Sequence, residues 1–323
     1  MKLLLFTFSF NGQNQMKKFI RNIFLLISIF IGFYVVGIIL FGELIPSLFT
    51  QNLNYRIGTY GHSFSRLKEV KKVNNVDILF LGSSHAYRGF DPRIYNRNGL
   101  KVFNLGTSSQ TPLQTQLLLN RYLKKLNPKL IIYDVYPETF SSDGVESAID
   151  IIANDKNDMN SLKMALDINH IKVYNTLVYG IYRDLFNLNE NYEEPECKRG
   201  GCYVSGGFVQ ESLSYYSKEE LPEKKIEINP KQLKAFENIR NEIDKKEIPL
   251  TLVYSPITSD DYERYTNNDS FDSLMQSYST YINFNEILNL NDTIYFYDSD
   301  HLNQLGVNIY NKELLSKIGK ISK

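Results

Sequence analysis

Five short apolar runs constrain the fold more than any other feature of this sequence. They are DILFL (77–81), KVFNL (101–105), KLIIY (129–133), IPLTLVYSP (248–256) and TIYFYD (293–298), and each halts at or just before glycine, proline or aspartate. Runs of this length with no polar alternation read as strands covered on both faces, the condition of a parallel sheet. Between the second and third lies PLQTQLLLNRYLKKL (112–126), with Pro112 at a first helical turn and leucines at helical spacing. PKQLKAFENIRNEIDKKE (230–247), SFDSLMQSYSTYI and NQLGVNIYNKELLSKI continue the rhythm as further helices. The alternation predicts an α/β fold: a three-layer, doubly wound parallel sheet with helices on both faces.

The N-terminus carries a different signal. Nineteen residues from Ile23 to Phe41 contain no charge, a stretch that spans roughly 28 Å as a helix, close to the hydrocarbon thickness of a bilayer. Lys17, Lys18 and Arg21 precede it and Glu43 follows. The positive-inside tendency then keeps the N-terminus in the cytoplasm of a bacterial cell and the remainder outside its cytoplasmic membrane, as a single-pass protein. A cleaved signal peptide is the rival reading, but the run exceeds a usual h-region and GELIPSLFTQN offers no small-x-small cleavage site. Met16-Lys17-Lys18 resembles a natural start, so residues 1–15 read as an extension. The expected organisation is a cytoplasmic tail and anchor (1–45), a juxtamembrane connector (46–72) and an α/β domain (73–323) interrupted by an insertion at 140–225.

Charge excludes one class of partner. Lys plus Arg and Asp plus Glu number 36 each, so no net field draws a polyanion, and no basic cluster interleaved with aromatics argues for nucleic acid. Within the insertion, NLNENYEEPECKRGGCYVSGG reads as polar, glycine-rich loop. Cys197 and Cys202 are the two cysteines of the chain, able to close a small disulfide loop in an oxidising compartment. Two thiols without a neighbouring histidine do not make a zinc site, and no metal is expected.

Chemically useful residues follow the strand ends, the edge where open parallel sheets gather function. Ser84 follows the first run, Gly106, Thr107 and Ser108 the second, Asp134 and Tyr136 the third, Asp298 and His301 the last. A nucleophilic serine needs a base, and the base needs a carboxylate to fix its tautomer. Asp298 and His301, three residues apart in DSDHLN, can supply both for Ser84, with Asp300 as a neighbour expected to point elsewhere. His85 reads as pocket lining or structure, and Asp91-Pro92 as a helix cap.

Taken in order, these blocks resemble the SGNH/GDSL hydrolase superfamily. Gly82-Ser83-Ser84 is similar to its first block, with serine replacing the usual aspartate; Gly106 to the second-block glycine; Asp298-Ser299-Asp300-His301 to the closing Asp-x-x-His. The likeness covers 76 to about 138 and 249 to 318. It implies a flavodoxin-like sheet, Ser84 as nucleophile, His301 as base, Asp298 as its orienter, and the backbone N–H groups of Ser84 and Gly106 as oxyanion donors. The third block departs: where the family offers an asparagine, this chain reads YDVYPETF, and an ionised Asp134 can only accept hydrogen bonds. Losing one oxyanion donor costs about a hundred- to a thousand-fold in rate, and Tyr136 and His85 are the candidates to replace it.

With the N-terminal anchor, the resemblance is to envelope proteins that move or remove O-linked acyl groups on polysaccharides. It implies a serine esterase or O-acyltransferase needing no cofactor, acting on an acyl (acetyl) ester of a polysaccharide or on a small acyl ester, with a membrane-bound O-acyltransferase as partner if it transfers. A catalytically inactive accessory protein that binds a glycan or such a membrane partner is the second expectation. A nucleotide-binding domain is disfavoured, because no G-x-G-x-x-G follows the first strand.

Overall fold

The structure is a computed structural model that describes residues 12–45 and 51–321. Residues 1–11 of the expected extension and 46–50 of the expected connector lie outside the described residues. The described chain begins with α1 (Gly12–Leu44), α2 (Ser63–Val70), β1 (Ile78–Leu81), α3 (Ser84–Gly89), α4 (Pro92–Arg97), β2 (Val102–Asn104), α5 (Pro112–Leu126) and β3 (Leu130–Asp134). It continues with α6 (Pro137–Ser141), α7 (Val145–Asn154), α8 (Met159–Ile168), α9 (Ile171–Leu185) and the short strands β4 (Cys197–Lys198), β5 (Gly201–Val204) and β6 (Phe208–Glu211). Then come α10 (Pro230–Lys245), β7 (Leu250–Tyr254), α11 (Ser259–Glu263), α12 (Asn268–Tyr278), β8 (Thr280–Asn283), α13 (Phe284–Ile287), α14 (Asp292–Tyr295) and α15 (Gln304–Ile321).

Five strands form one sheet in the order β2-β1-β3-β7-β8, every neighbour parallel. This is the flavodoxin-like arrangement, in which the winding reverses around β1 and opens a crevice at its carboxyl end. Alternate residues of β1 feed different layers: Leu79 and Leu81 join the core beneath α5 and α10, whereas Ile78 and Phe80 join the core beneath α3, α4 and α15. Both faces of the sheet are therefore covered, as the uninterrupted apolar runs require. The expected caps form as well: Asp91 accepts from the Arg93 N–H, with Pro92 opening α4.

Two expectations fail. TIYFYD is not a strand: Asn291 caps the single turn α14 by accepting from the Thr293 N–H, and only Phe296 pairs, in an isolated antiparallel bridge to Leu302. The fifth strand is β8, part of the stretch read as the end of a helix; as a sheet edge it is only half buried and carries no apolar run to announce it. The insertion starts with the helices α7, α8 and α9, but its glycine-rich part, read as loop, folds instead into the antiparallel sheet β4-β5-β6, with Cys197 paired to Cys202 across the ladder and joined to it by a disulfide.

The segment before β1 is built into the domain. Arg66 on α2 is fully buried and donates to the carbonyls of Gly61 and Gly207, tying α2 to the turn before β6. The Asn104 N–H donates to Gly206 at 2.8 Å, so the same turn seats on the end of β2. At the N-terminus, α1 is long and apolar enough to cross a membrane.

Candidate active site

The site grows from the end of β1. Gly82 has φ +140°, and a Cβ there would meet Asp134 Cβ at 2.8 Å and Ala86 Cβ at 3.0 Å, so glycine is demanded both by conformation and by close packing. The turn it allows starts α3 at Ser84, at the carboxyl edge of the sheet. From the opposite side, the loop before α15 delivers His301. Asp298 shapes this loop: its Oδ1 accepts from the backbone N–H groups of Asp300 (3.1 Å) and His301 (2.7 Å), which brings the imidazole back over its own carboxylate.

The resulting chain of contacts is continuous. Ser84 Oγ lies 2.8 Å from His301 Nε2, and both carboxylate oxygens of Asp298 lie 3.0 Å from His301 Nδ1. Asp300, expected to point elsewhere, instead places Oδ1 2.9 Å from the same Nδ1. Spacing along a strand would have sent it away; the tight turn around Asp298 folds both acids toward one ring. Burial opposes a charged imidazole, but the Asp300 charge and the hydrogen bonds from Asp298 and Asp300 outweigh it and raise the His301 pKa to about 9. Burial also opposes the Asp300 charge, yet the facing His301 holds that carboxyl far below its ordinary range.

His301 sits in a stack of rings. Its centroid is 5.6 Å from Tyr297 and 4.8 Å from His85, and His85 in turn lies 4.0 Å from Tyr136. His85 is buried, which together with repulsion from His301 lowers its pKa to about 4 and keeps it neutral at ordinary pH. Its Nδ1 is 3.2 Å from Ser83 Oγ and its Nε2 3.7 Å from Asp300. His85 therefore packs behind the base, facing the same acid.

A cleft of about 360 Å³ opens over Ser84 and His301, lined among others by Arg88, Ser108, Tyr136, Glu138 and Glu146. Two residues expected in it are absent from its wall. Thr107 is buried and donates to Gln110 at 2.9 Å, and Asp134 is buried beneath the site, accepting from the N–H and hydroxyl of Ser255. Burial pushes the Asp134 carboxyl up to about 7 against those hydrogen bonds. The oxyanion expectation also needs correction at Gly106: its N–H donates to Asn104 Oδ1 at 3.0 Å and is already spent. Asn104, which also donates to the Ala86 carbonyl at 2.6 Å, went unread in the sequence because it lies inside an apolar run. Arg88 was missed too, although its place one helical turn beyond Ser84 was a usable signal.

His85, Asp300 and His301 bring potential metal-ligand atoms within 4.8 Å of one another. His301 is committed at both nitrogens, to Ser84 and to the acids, so a cation there would have to displace the serine or the carboxylates.

No family model matches the chain, and no curated protein matches it. Among solved structures it is similar to a candidate acylhydrolase from Bacteroides fragilis NCTC 9343, at 10% identity and TM-score 0.42, over 80% of this chain and 95% of that one. It is also similar to a gut microbial diltiazem-metabolizing enzyme, at 12% identity and TM-score 0.28, over 76% of this chain and 47% of that one. A third similar structure is a GDSL-like lipase from Bacteroides thetaiotaomicron VPI-5482, at 14% identity and TM-score 0.30, over 81% of this chain and the whole of that one.

Proposed function

We propose that this chain is a membrane-anchored, extracytoplasmic serine esterase or O-acyltransferase of SGNH type. The observation that carries the reading is the unbroken path from Ser84 Oγ through His301 to Asp298, with contacts of 2.8 and 3.0 Å. Ser84 attacks the acyl carbonyl while its proton passes to His301 Nε2; collapse of the tetrahedral adduct returns that proton to the leaving alkoxide and leaves an acyl-Ser84 ester. Water or a sugar hydroxyl, deprotonated by the same His301, then takes the acyl group. Asp298 and Asp300 hold the ring and balance the imidazolium formed in each half-reaction.

The Ser84 backbone N–H, one of the donors left unpaired at a helix start, is the oxyanion contact in this scheme. With Gly106 engaged by Asn104 and no asparagine after β3, stabilisation of the oxyanion is weaker than in a site with the full set of donors. The cleft wall, with Ser108, Arg88, Glu138 and Glu146, favours a small acyl group on a polar acceptor such as a polysaccharide. The spent Gly106 N–H also favours a second reading, an inactive accessory protein that binds a glycan or a membrane-bound O-acyltransferase in the same cleft. Release of p-nitrophenol from p-nitrophenyl acetate by the detergent-solubilised chain, beside Ser84→Ala and His301→Ala, separates the two. Turnover that depends on both residues supports the enzyme; turnover no greater than that of the variants supports the binder.

A further inference from the structure

The contacts between α1 and α9 place part of the domain at the depth of the lipid. Residues 17–34 of α1 are exposed, and contact with the domain starts at Tyr34, whose hydroxyl bonds to Asn175 of α9. It continues along one stripe of α1, Val35, Ile38, Ile39 and Gly42, each only partly exposed. It closes at Glu43, which accepts from the Tyr179 hydroxyl at 2.9 Å and pairs with Arg183 at 3.6 Å. Charge on α1 stops at Arg21 and resumes at Glu43. The uncontacted apolar part, Ile23 to Phe33, spans about 16 Å as a helix, well short of a hydrocarbon core of about 30 Å. The nineteen uncharged residues that make up a bilayer-spanning length run on to Phe41, through the stretch that α9 covers, which brings α9 to the bilayer surface.

The faces of α9 fit that position. Val173, Thr176, Leu177 and Gly180 are buried against the domain, and Asn175 and Tyr179 meet α1. The face away from the domain carries Ile171, Val178, Ile181 and Leu185, within ~80° of one another at 100° per residue. Ile171, Ile181 and Leu185 are 49%, 40% and 74% exposed, which a water-facing helix has no reason to maintain as one stripe. We infer that the outer face of α9 is a lipid-contact surface that beds the domain onto the bilayer beside its anchor.

The inference rests on the anchor reading, and one set of single-cysteine variants tests the two separately. The native cysteines are joined in a disulfide, so an introduced thiol is the reactive one. Full-length chain carrying Phe30→Cys, Ile171→Cys, Leu185→Cys or Lys312→Cys is labelled with an environment-sensitive fluorophore and reconstituted into phosphatidylcholine vesicles containing nitroxide lipids. Lys312 lies on α15, on the opposite layer of the sheet. Deep nitroxides are expected to quench most of the emission at position 30, and shallow nitroxides most of that at 171 and 185, with 312 unquenched. Quenching at 30 with none at 171 and 185 overturns the lipid surface while the anchor stands, and leaves a protein partner for the face. No quenching at 30 overturns both.

Discussion

The carboxylate of Asp300 lies 2.9 Å from Nδ1 of the residue that follows it, His301, so two acids and not one face the ring that touches Ser84. A single acid would orient the imidazole; the second also holds it in its charged form.

This doubling sets the pH at which the site can work. His301 accepts a proton only when neutral, and with a pKa of about 9 roughly one ring in a hundred is neutral at pH 7. Activity on p-nitrophenyl acetate, corrected for spontaneous hydrolysis, is expected to rise through pH 7 to 9. Asp300→Asn should shift the rising limb to lower pH, because it removes the charge that favours the imidazolium. A limb that stays in place in Asp300→Asn would contradict the role given to that acid.

The same shift has a sign for stability. The folded-state pKa of His301 is raised above its ordinary 6.5, so its stabilisation is complete below about pH 6.5 and is lost as the pH rises through about 9. His301→Gln is expected to lower Tm more at pH 6 than at pH 9.5, as read by circular dichroism. An equal loss at both values would show that the ring charge contributes nothing to folding.

Asp134 titrates in the folded state near 7, against about 3.9 in an unfolded chain. Between these values the native state binds more protons, so stability declines as the pH rises from about 4 to 7. Asp134→Asn keeps an oxygen for the Ser255 donors and removes the buried charge. Its Tm should exceed that of the parent at pH 8 by more than it does at pH 4; the reverse order would refute the assignment.

Gly82→Ala should cost about 2 kcal/mol or more in denaturant unfolding, since the new Cβ meets Asp134 and Ala86 at 2.8 and 3.0 Å in a backbone conformation that suits glycine. Because the turn aims Ser84, serine reactivity should fall with it. A fully stable, fully reactive Gly82→Ala would mean that the turn can relax without moving the serine.

Much of this molecule was legible in the sequence because it follows from local rules. Strands buried on two faces must be apolar throughout, which made β1, β3 and β7 plain, and Gly82 marked the turn into Ser84. The edge strand β8 was hidden because half of it faces solvent, and TIYFYD misled because aromatic residues filled a one-turn helix and a bridge. Asp298 and His301 were readable from their spacing, whereas Asp300 depended on the turn around Asp298. The Gly106 N–H was misread for the same kind of reason: its partner Asn104 is two residues away, but only the fold points that amide at it.

The most direct measurement is intact-mass and peptide mapping after reaction with a fluorophosphonate at pH 9, where His301 is substantially neutral. One adduct on Ser84, absent in Ser84→Ala and strongly reduced in His301→Ala, is the predicted result. Labelling that persists in Ser84→Ala, or a folded parent chain that takes no label, would contradict the account.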